Sequence, residues 1–251
     1  MPRFFVNQEN IETTEDETLA RITGEDSFHI ARSLRMAVGD ALTICDGEGY
    51  EYDGTLEKIR DDLSLVRLEN RHPSASEPPV FITLYMAYPK GDKLETVIQK
   101  AVELGASRIV PFESSRCIKR PKADKIEEKT KRLTRIATEA AKQCGRGRLP
   151  EVAKPLTYAQ MLDCAREDDL ALFCYEREGT TRSIREILTE AKDIRTISVI
   201  VGSEGGFSPE EASLASERGL MMCGLGKRIL RCETAPDYAL SSISYQFELQ
   251  N

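Results

Sequence analysis

The chain has 251 residues, enough for one large domain or for a large and a small one, and 40% of them are hydrophobic, so a sizeable core can form. Nowhere do the ~20 apolar residues of a membrane-spanning helix follow one another, and the amino terminus lacks the apolar core of a secretory signal, so we expect a globular cytoplasmic protein. The net charge of −7, taken alone, argues against a nucleic-acid partner.

The first 70 residues predict a small β-rich unit. One short helix near EDSFHIARSLR places His29, Arg32 and Arg35 at spacings of three, along one helix face. The next segment, RHPSASEPP at residues 71–79, is rich in proline and serine and is typical of a linker. The predicted strands of the unit are PRFFV, DALTICDG, YEYDGTLEKI and LSLVRLE.

From residue 80 onward, strands alternate with helices, which predicts a parallel sheet covered on both faces and hence an α/β domain over residues 80–251. The predicted strands are VFITLYMAY, RIVPF, LALFCY, TISVIVG and MMCGLG. The predicted helices are KLETVIQKAVEL, a long one over residues 123–143, TYAQMLDCARE, SIREILTEAK, SPEEASLASERG and DYALSSISYQFE.

Positive charge is concentrated in one part of the chain. Between Arg116 and Arg148, twelve Lys or Arg residues stand against four acidic residues. One basic region therefore sits on an otherwise acidic protein.

Cysteine and histidine usage argues against disulfides and metal. The seven cysteines are odd in number, scattered and never spaced as C-x-x-C, which is typical of reduced thiols. The only histidines, His29 and His72, have no Cys or His neighbour at ligand spacing. We therefore predict no metal site.

The segment GSEGGFSPEE, residues 202–211, combines a glycine-rich turn with the start of a helix. It follows the predicted strand TISVIVG. Ser208 is placed to cap the helix, Pro209 suits the first helical position, and Glu211 completes a capping box. The motif is therefore a strand, a turn and a well-specified helix start.

The carboxylates of this turn restrict its ligand. A helix amino terminus attracts anions, but Glu204, Glu210 and Glu211 would occupy or repel such a site. The segment also lacks the patterns of a dinucleotide loop, a P-loop or a serine hydrolase elbow. What remains is a ligand with hydroxyls, ring nitrogens or positive charge, and S-adenosylmethionine fits that description. The alternative is a tight turn with a solvated glutamate.

A second stretch, LGKRILRCETAP at residues 225–236, supports a ligand site. It combines apolar side chains and a glycine with Thr234, which we expect to cap the last helix together with Asp237. Such a segment makes a plausible wall for a flat adenine.

These two motifs, with KGDKLETVIQKAVELGA and EAAKQCGRGRLPEV before them, resemble the ribosomal RNA small subunit methyltransferase E family, uridine N3-methyltransferases of the SPOUT class. The similarity runs from MPRFFV to the final helix. It implies an amino-terminal RNA-binding β-barrel of the PUA or OB-like type at residues 1–70 and an α/β methyltransferase domain with a deep trefoil knot. It further implies S-adenosylmethionine as cofactor, the RNA of the 30S subunit as substrate, and a homodimer whose partner chains complete the active sites.

The resemblance also implies site residues. The cofactor shell would consist of Gly202, Glu204, Gly205, Gly206, Leu225, Gly226, Ile229, Leu230, Arg231, Thr234 and Ala235, with Tyr175 and Glu176 at the rim. The RNA-binding residues would be His29, Arg32, Arg35, Arg116, Lys119, Arg120, Arg146 and Arg148. One departure is Ser203, where the family usually has proline.

For catalysis, Arg146 or Arg231 would stabilise the uridine anion, and either a carboxylate or a water chain would accept its proton. Two other functions stay open from the sequence. One is a non-catalytic RNA-binding protein with this fold, and the other is a SPOUT 2'-O-methyltransferase of transfer RNA.

Overall fold

The computed structural model describes residues 1–118, 123–176 and 181–250. The chain divides into two compact units. The amino-terminal unit contains Met1–Glu77 and Ala141–Leu149, and the carboxy-terminal unit contains Pro78–Ala140 and Pro150–Asn251. The first unit is therefore completed by a segment from the middle of the chain. Among the described residues, no helix has the length and apolar character needed to cross a membrane.

The amino-terminal unit is a curled β half-barrel of six strands in the order β1-β4-β5-β6-β3-β2. β1 pairs with β4 in parallel and the other pairs are antiparallel. Alternate residues of these strands point inward, and Phe4, Ile22, Leu42, Ile44 and Val66 are among those that form the core. The strands are β1 Arg3–Phe5, β2 Ile11–Thr13, β3 Thr18–Thr23, β4 Ala41–Cys45, β5 Tyr50–Ile59 and β6 Leu63–Pro73.

Three sequence predictions for this unit need correction. β2 and β3 were not predicted, because the segment IETTEDETLARIT is mostly polar; β2 is the edge strand of the sheet and β3 lies beside it. The predicted helix is a short α1, Gly24–Phe28, continued by a π-helical turn over His29–Ser33. Arg35 lies beyond it with φ of 51°, so it does not share a helix face with His29 and Arg32. The predicted linker begins too early, since β6 extends to Pro73, whose register partner is Tyr50.

The carboxy-terminal unit is a parallel sheet in the order β10-β8-β7-β13-β11-β14-β12, with β9 also pairing with β8. The parallel α/β prediction is confirmed. The five predicted strands are present, and the three additional ones have only two residues each. The strands are β7 Phe81–Ala87, β8 Arg108–Glu113, β9 Glu151–Val152, β10 Leu156–Thr157, β11 Leu170–Cys174, β12 Arg182–Ser183, β13 Thr196–Val201 and β14 Met221–Gly224.

Helices cover this sheet because each buries an apolar face. In α2, Leu94, Val97, Ile98, Ala101 and Val102 are buried, as their spacing predicts. The helices are α2 Lys93–Glu103, α3 Ile126–Cys144, α4 Tyr158–Ala165, α5 Ile184–Glu190, α6 Pro209–Glu217 and α7 Thr234–Phe247. The last turn of α3 belongs to the amino-terminal unit.

Parallel strands place their carboxyl ends at one edge of the sheet. The loops after β8, β11, β13 and β14 therefore leave from the same edge. In open α/β sheets, ligands bind outside this edge. The two motifs singled out from the sequence, residues 202–211 and 225–236, follow β13 and β14 directly.

Candidate active site

A cavity of about 450 Å³ lies at the carboxyl edge of the parallel sheet. Its walls are Cys174–Glu176 at the end of β11, the loop 201–207 after β13, and the loop after β14 up to the start of α7. Lys93, at the start of α2, lines it as well. The volume falls within the range of about 300–1,000 Å³ that is usual for small-molecule sites.

The loop after β13, which we call the glycine loop (residues 202–207), is a tight turn held against the core. The carbonyl of Ser203 accepts the N–H of Gly206 at 2.9 Å, and Gly206 has φ of +63°. A Cβ at Gly202 would lie 3.1 Å from backbone atoms of Gly206, so a larger residue does not fit without a shift. Phe207 anchors the end of the loop, with its ring centroid 4.2 Å from that of Phe173.

The helix that follows begins as the sequence predicts. Ser208 accepts the N–H of Glu211, the Glu211 carboxylate accepts the N–H of Ser208, and Pro209 is the first helical residue. The same carboxylate accepts the N–H of Ser115 at 2.7 Å. Glu211 is buried and occupies the helix amino terminus, which leaves no cradle for phosphate there.

Glu204 is held by its own protein surroundings. Its carboxylate accepts the N–H of Lys90 at 3.0 and 3.3 Å and pairs with the ammonium of Lys93 at 3.2 Å. Burial alone would raise the pKa of Glu204, but these hydrogen bonds and the Lys93 charge lower it below the ordinary value. The group is therefore ionised at neutral pH, and it keeps an exposed fraction of 28% for a ligand.

The loop after β14 supplies exposed backbone and apolar surface. Gly226 has φ of +106°, which only glycine adopts readily, and Ile229 is 81% exposed. The carbonyl of Arg231 accepts the N–H groups of Thr234 and Ala235 at 2.8 and 2.9 Å. These bonds fix the entry of the loop into α7.

The predicted Thr234 cap is wrong. α7 begins at Thr234 itself, and the residue before it, Glu233, makes no capping bond with its side chain. The Arg231 carbonyl has taken up the first N–H groups, so the helix starts one residue earlier than a threonine cap requires. Asp237 instead pairs with Lys100 at 3.0 Å.

All the residues predicted for the cofactor shell line the cavity except Thr234, which is exposed outside it. Their roles as ligands stay predictions. The sequence reasoning missed several lining residues, of which Lys93, Arg228 and Glu233 carry charge. All three lie inside motifs that the resemblance rested on, but nothing in their spacing shows that Lys93 meets Glu233.

Arg116 contacts the glycine loop, and its predicted role in RNA binding stays a prediction. Its guanidinium donates to the carbonyl of Gly205 at 2.8 Å, and the Ser203 hydroxyl donates to the Arg116 carbonyl at 3.4 Å. Ser203, which replaces the usual proline, is therefore tied to the rest of the unit by a hydrogen bond. Lys119 and Arg120 lie outside the described residues.

Arg146 and Arg148 lie in the amino-terminal unit, on the loop after α3. The Arg146 side chain is 3% exposed and makes a two-pronged bond to Glu77 at 2.9 and 2.8 Å. The same carboxylate accepts the N–H groups of Gly147 and Arg148 at 2.9 and 3.0 Å. The buried pair organises the loop, and a catalytic or RNA-binding role for Arg146 stays a prediction.

The other predicted RNA contacts lie on the surface of the amino-terminal unit. His29 is exposed and meets the Phe4 ring edge-on, with centroids 6.4 Å apart. Arg32 pairs with Asp61 through two bonds of 2.9 and 2.6 Å, which neutralises much of its charge. The pairing raises the pKa of Arg32 and lowers that of Asp61.

Comparison with known proteins gives a consistent family. An RNA methyltransferase domain family matches residues 76–244, and an RNA methyltransferase PUA domain family matches residues 22–69. The Bacillus subtilis protein named ribosomal RNA small subunit methyltransferase E is 35% identical over 253 residues, 99% of this chain and 98% of its own length.

Solved structures agree with this match. A protein of the same name from Neisseria gonorrhoeae, bound to S-adenosylmethionine, has a TM-score of 0.81 at 27% identity, with 98% of each chain covered. A structure from Legionella pneumophila with bound S-adenosylmethionine has a TM-score of 0.78 at 30% identity, with 96% of each chain covered.

Proposed function

Since the chain belongs to the ribosomal RNA small subunit methyltransferase E family, we propose that it transfers a methyl group from S-adenosylmethionine to N3 of a uridine in 16S ribosomal RNA, on the assembled 30S subunit. The observation that carries the proposal is the cavity at the carboxyl edge of the sheet. Its walls are the two loops whose motifs the family shares, and relatives of similar structure hold S-adenosylmethionine.

The residues of the cavity fit this cofactor. Gly205 and Gly206 expose backbone without side chains in the way, and Leu225 and Leu230 supply apolar surface for an adenine ring. The ionised Glu204 is suited to accept hydrogen bonds from ribose hydroxyls. When bound, S-adenosylmethionine supplies an electrophilic methyl group on a sulfonium.

The chain's own contribution to catalysis is alignment and charge. Methyl transfer to a ring nitrogen is an in-line displacement, so the protein must hold the uridine against the methyl group. Arg231 lines the cavity with an exposed side chain, which supports it as the cation that stabilises the deprotonated uridine. Arg146 is less well supported for that role, because Glu77 engages its guanidinium. Arg148, which is half-buried on the same loop, is better placed than Arg146 for an RNA contact.

We further propose that the amino-terminal unit binds RNA, that the carboxy-terminal unit contains the deep trefoil knot of the SPOUT class, and that the protein is a homodimer. The match to an RNA methyltransferase PUA domain family supports RNA binding by the amino-terminal unit. Membership of the methyltransferase family supports the knot. Exposed apolar side chains on the surface of the carboxy-terminal unit support the homodimer, among them Ile229, Tyr245 and Leu249. Light scattering on the purified protein measures its oligomeric state.

The test is transfer of labelled methyl groups to small ribosomal subunits and to naked ribosomal RNA, followed by nuclease digestion and identification of the nucleoside. The proposal expects 3-methyluridine, formed faster on subunits, and a loss of about 100-fold or more in the Arg231→Ala variant. A methylated ribose, or transfer of label to transfer RNA offered as a separate substrate, would instead favour the 2'-O-methyltransferase. Binding of RNA without any transfer would favour the non-catalytic alternative.

A further inference from the structure

Lys93 stands between the two loops that form the cavity. It is the first residue of α2, and its ammonium lies 3.2 Å from Glu204 Oε1 and 3.2 Å from Glu233 Oε2. Glu204 belongs to the glycine loop, whereas Glu233 lies just before α7. One ammonium group thus bridges two loops that are far apart in the sequence, at the wall of the cavity.

We propose that Lys93 is a positioning residue for S-adenosylmethionine, which fixes the distance between the two loops and neutralises two carboxylates in the wall of a cavity that takes a cationic cofactor. The proposal rests on the proposed function and deepens it. It assigns to Lys93 both a mechanical and an electrostatic effect on the cofactor site.

The mechanical effect follows from the glycines. A loop with three glycines loses much conformational entropy when it is ordered, so the cost of ordering falls on ligand binding unless the free protein already holds the loop. Two anchors hold Glu204 from the side of α2, namely the Lys90 N–H and the Lys93 ammonium. Removing the second anchor leaves Glu204 bonded to the Lys90 N–H and leaves Glu233 bonded to the thiol of its neighbour Cys232, so the link between the two loops is lost.

The electrostatic effect follows from the distances. Because both carboxylate oxygens bond the same nitrogen, they lie no farther apart than these two bonds laid end to end. Two like charges at that separation repel unless a cation sits between them. The three side chains are 38%, 28% and 24% exposed, so the pairs contribute little to global stability and act mainly on the loops.

The two effects are separated by comparing S-adenosylmethionine with S-adenosylhomocysteine, whose sulfur is uncharged. In the Lys93→Gln variant, looser loops weaken the binding of both ligands, but the uncovered carboxylates attract the sulfonium and offset part of its loss. By calorimetry we expect the dissociation constant to rise about tenfold for S-adenosylhomocysteine and only about twofold for S-adenosylmethionine. Lys93→Arg keeps the charge and the reach, so both constants stay within about twofold of wild type.

A second variant is expected to shift the preference in the opposite sense. Glu233→Gln removes one negative charge and leaves Lys93 paired with Glu204, so S-adenosylmethionine loses more affinity than S-adenosylhomocysteine. The matched control is Lys100→Gln, a lysine of the same helix whose partner is Asp237 and which lies outside the cavity wall. It should bind both ligands as the wild type does.

Unchanged affinities in Lys93→Gln, or an equal loss for both ligands, would overturn the proposal, because loss of packing alone weakens the two ligands alike. If Lys93→Gln fails to fold, the Glu233→Gln variant decides the question. The proposal requires its dissociation constant to rise more for S-adenosylmethionine than for S-adenosylhomocysteine, and the opposite order would overturn it. A wild-type protein that binds neither ligand would overturn the proposed function instead, so the two failures are distinguishable.

Discussion

At the residue scale, Arg116 shows how a basic side chain in a basic segment can serve a cofactor loop. Its guanidinium donates to the Gly205 carbonyl, and a Cβ at Gly205 would lie 3.0 Å from the Arg116 Cβ. The side chain therefore lies closely along the glycine loop. The Arg116 guanidinium keeps its positive charge in this contact, but the Gly205 carbonyl fixes the orientation of the side chain.

We predict that Arg116→Ala weakens S-adenosylmethionine binding about fivefold, because the glycine loop loses a brace and must be ordered by the ligand. The salt dependence of RNA binding should stay unchanged, whereas a lost phosphate contact lowers its slope by about one. Calorimetry with the cofactor and a salt titration with ribosomal RNA measure the two quantities. Arg132→Ala, an exposed change in the same basic segment, is the control. A reduced slope with wild-type cofactor affinity would return Arg116 to the RNA surface.

The two carboxylates of the cavity, Glu204 and Glu233, predict that part of the protein's stability is lost at acidic pH. The pKa of Glu204 is lowered by the Lys90 N–H and by Lys93 against the effect of burial, and that of Glu233 is lowered by Cys232 and Lys93, both from an ordinary 4.5. A depressed pKa contributes stability that is fully present above the ordinary value and is lost as the pH falls through the depressed one.

We therefore expect the melting temperature of the wild type to exceed that of Glu204→Gln by a constant margin from pH 7 to about 5, corresponding to at most about 1 kcal/mol. Below 4.5 the margin should shrink, because the wild-type group is then protonated as well. Differential scanning fluorimetry across this range measures it. A margin that already declines between pH 7 and 6 would show that Glu204 is not held by Lys93.

At the element scale, the turn between β13 and α6 is the part of the site that the sequence specifies best. The capping box of Ser208 and Glu211 forms as predicted, and the glycines permit a turn that other residues do not. These features were predictable because each depends on neighbours within a few positions. The Thr234 cap failed because the Arg231 carbonyl accepts the N–H groups of Thr234 and Ala235 and so brings Thr234 itself into the helix, which a local pattern does not reveal.

We predict that Gly202→Ala lowers S-adenosylmethionine affinity about tenfold or more, since its Cβ would lie 3.1 Å from the Gly206 backbone and the turn must shift to make room. Gly219→Ala is the control for destabilisation without a clash, because its φ of +85° strains an alanine while its Cβ would meet no atom within 4 Å. Both variants should lose stability, by about 1–2 kcal/mol for Gly219→Ala. Only Gly202→Ala should lose binding, and equal affinities for the two proteins would argue against a packed turn.

The bridge through Lys93 marks the limit of sequence reasoning about the site. Lys93, Glu204 and Glu233 stand in three separate motifs, and only the threading of the sheet brings them to one point. Likewise, β3 was missed because its polar residues gave no strand pattern, although Ala20 and Ile22 point into the core. Local signals predicted the α/β class and the cavity loops, whereas contacts between residues far apart in the sequence are visible only in the folded structure.

At the scale of the whole molecule, residues 141–149 are built into the amino-terminal unit by the Glu77–Arg146 pair. The backbone of Arg148 forms isolated β-bridges with Gly47 and Glu48, and the Leu149 N–H donates to the Gly47 carbonyl at 3.0 Å. The unit is therefore assembled from two separate stretches of chain. A nearly buried charge pair, Glu77 with Arg146, joins the two stretches.

We predict that Glu77→Ala destabilises this unit by about 3–5 kcal/mol, because it leaves the nearly buried Arg146 charge without its carboxylate partner. Hydrogen exchange should show lost protection in β5 and β6, with the amides of the parallel sheet much less affected. Glu48→Ala, an exposed change in the same unit, should leave the exchange unchanged. Full protection in Glu77→Ala would mean that the pair does not hold the segment.

The same interrupted path has a consequence for synthesis on the ribosome. The first 77 residues leave the exit tunnel well before the segment that Glu77 binds, and translation at about 5–20 residues per second separates the two events by several seconds. During that interval the nascent half-barrel lacks residues 141–149, and the Glu77 carboxylate has no Arg146 guanidinium to bind. Folding of the amino-terminal unit is therefore complete only after the middle of the chain has been synthesised.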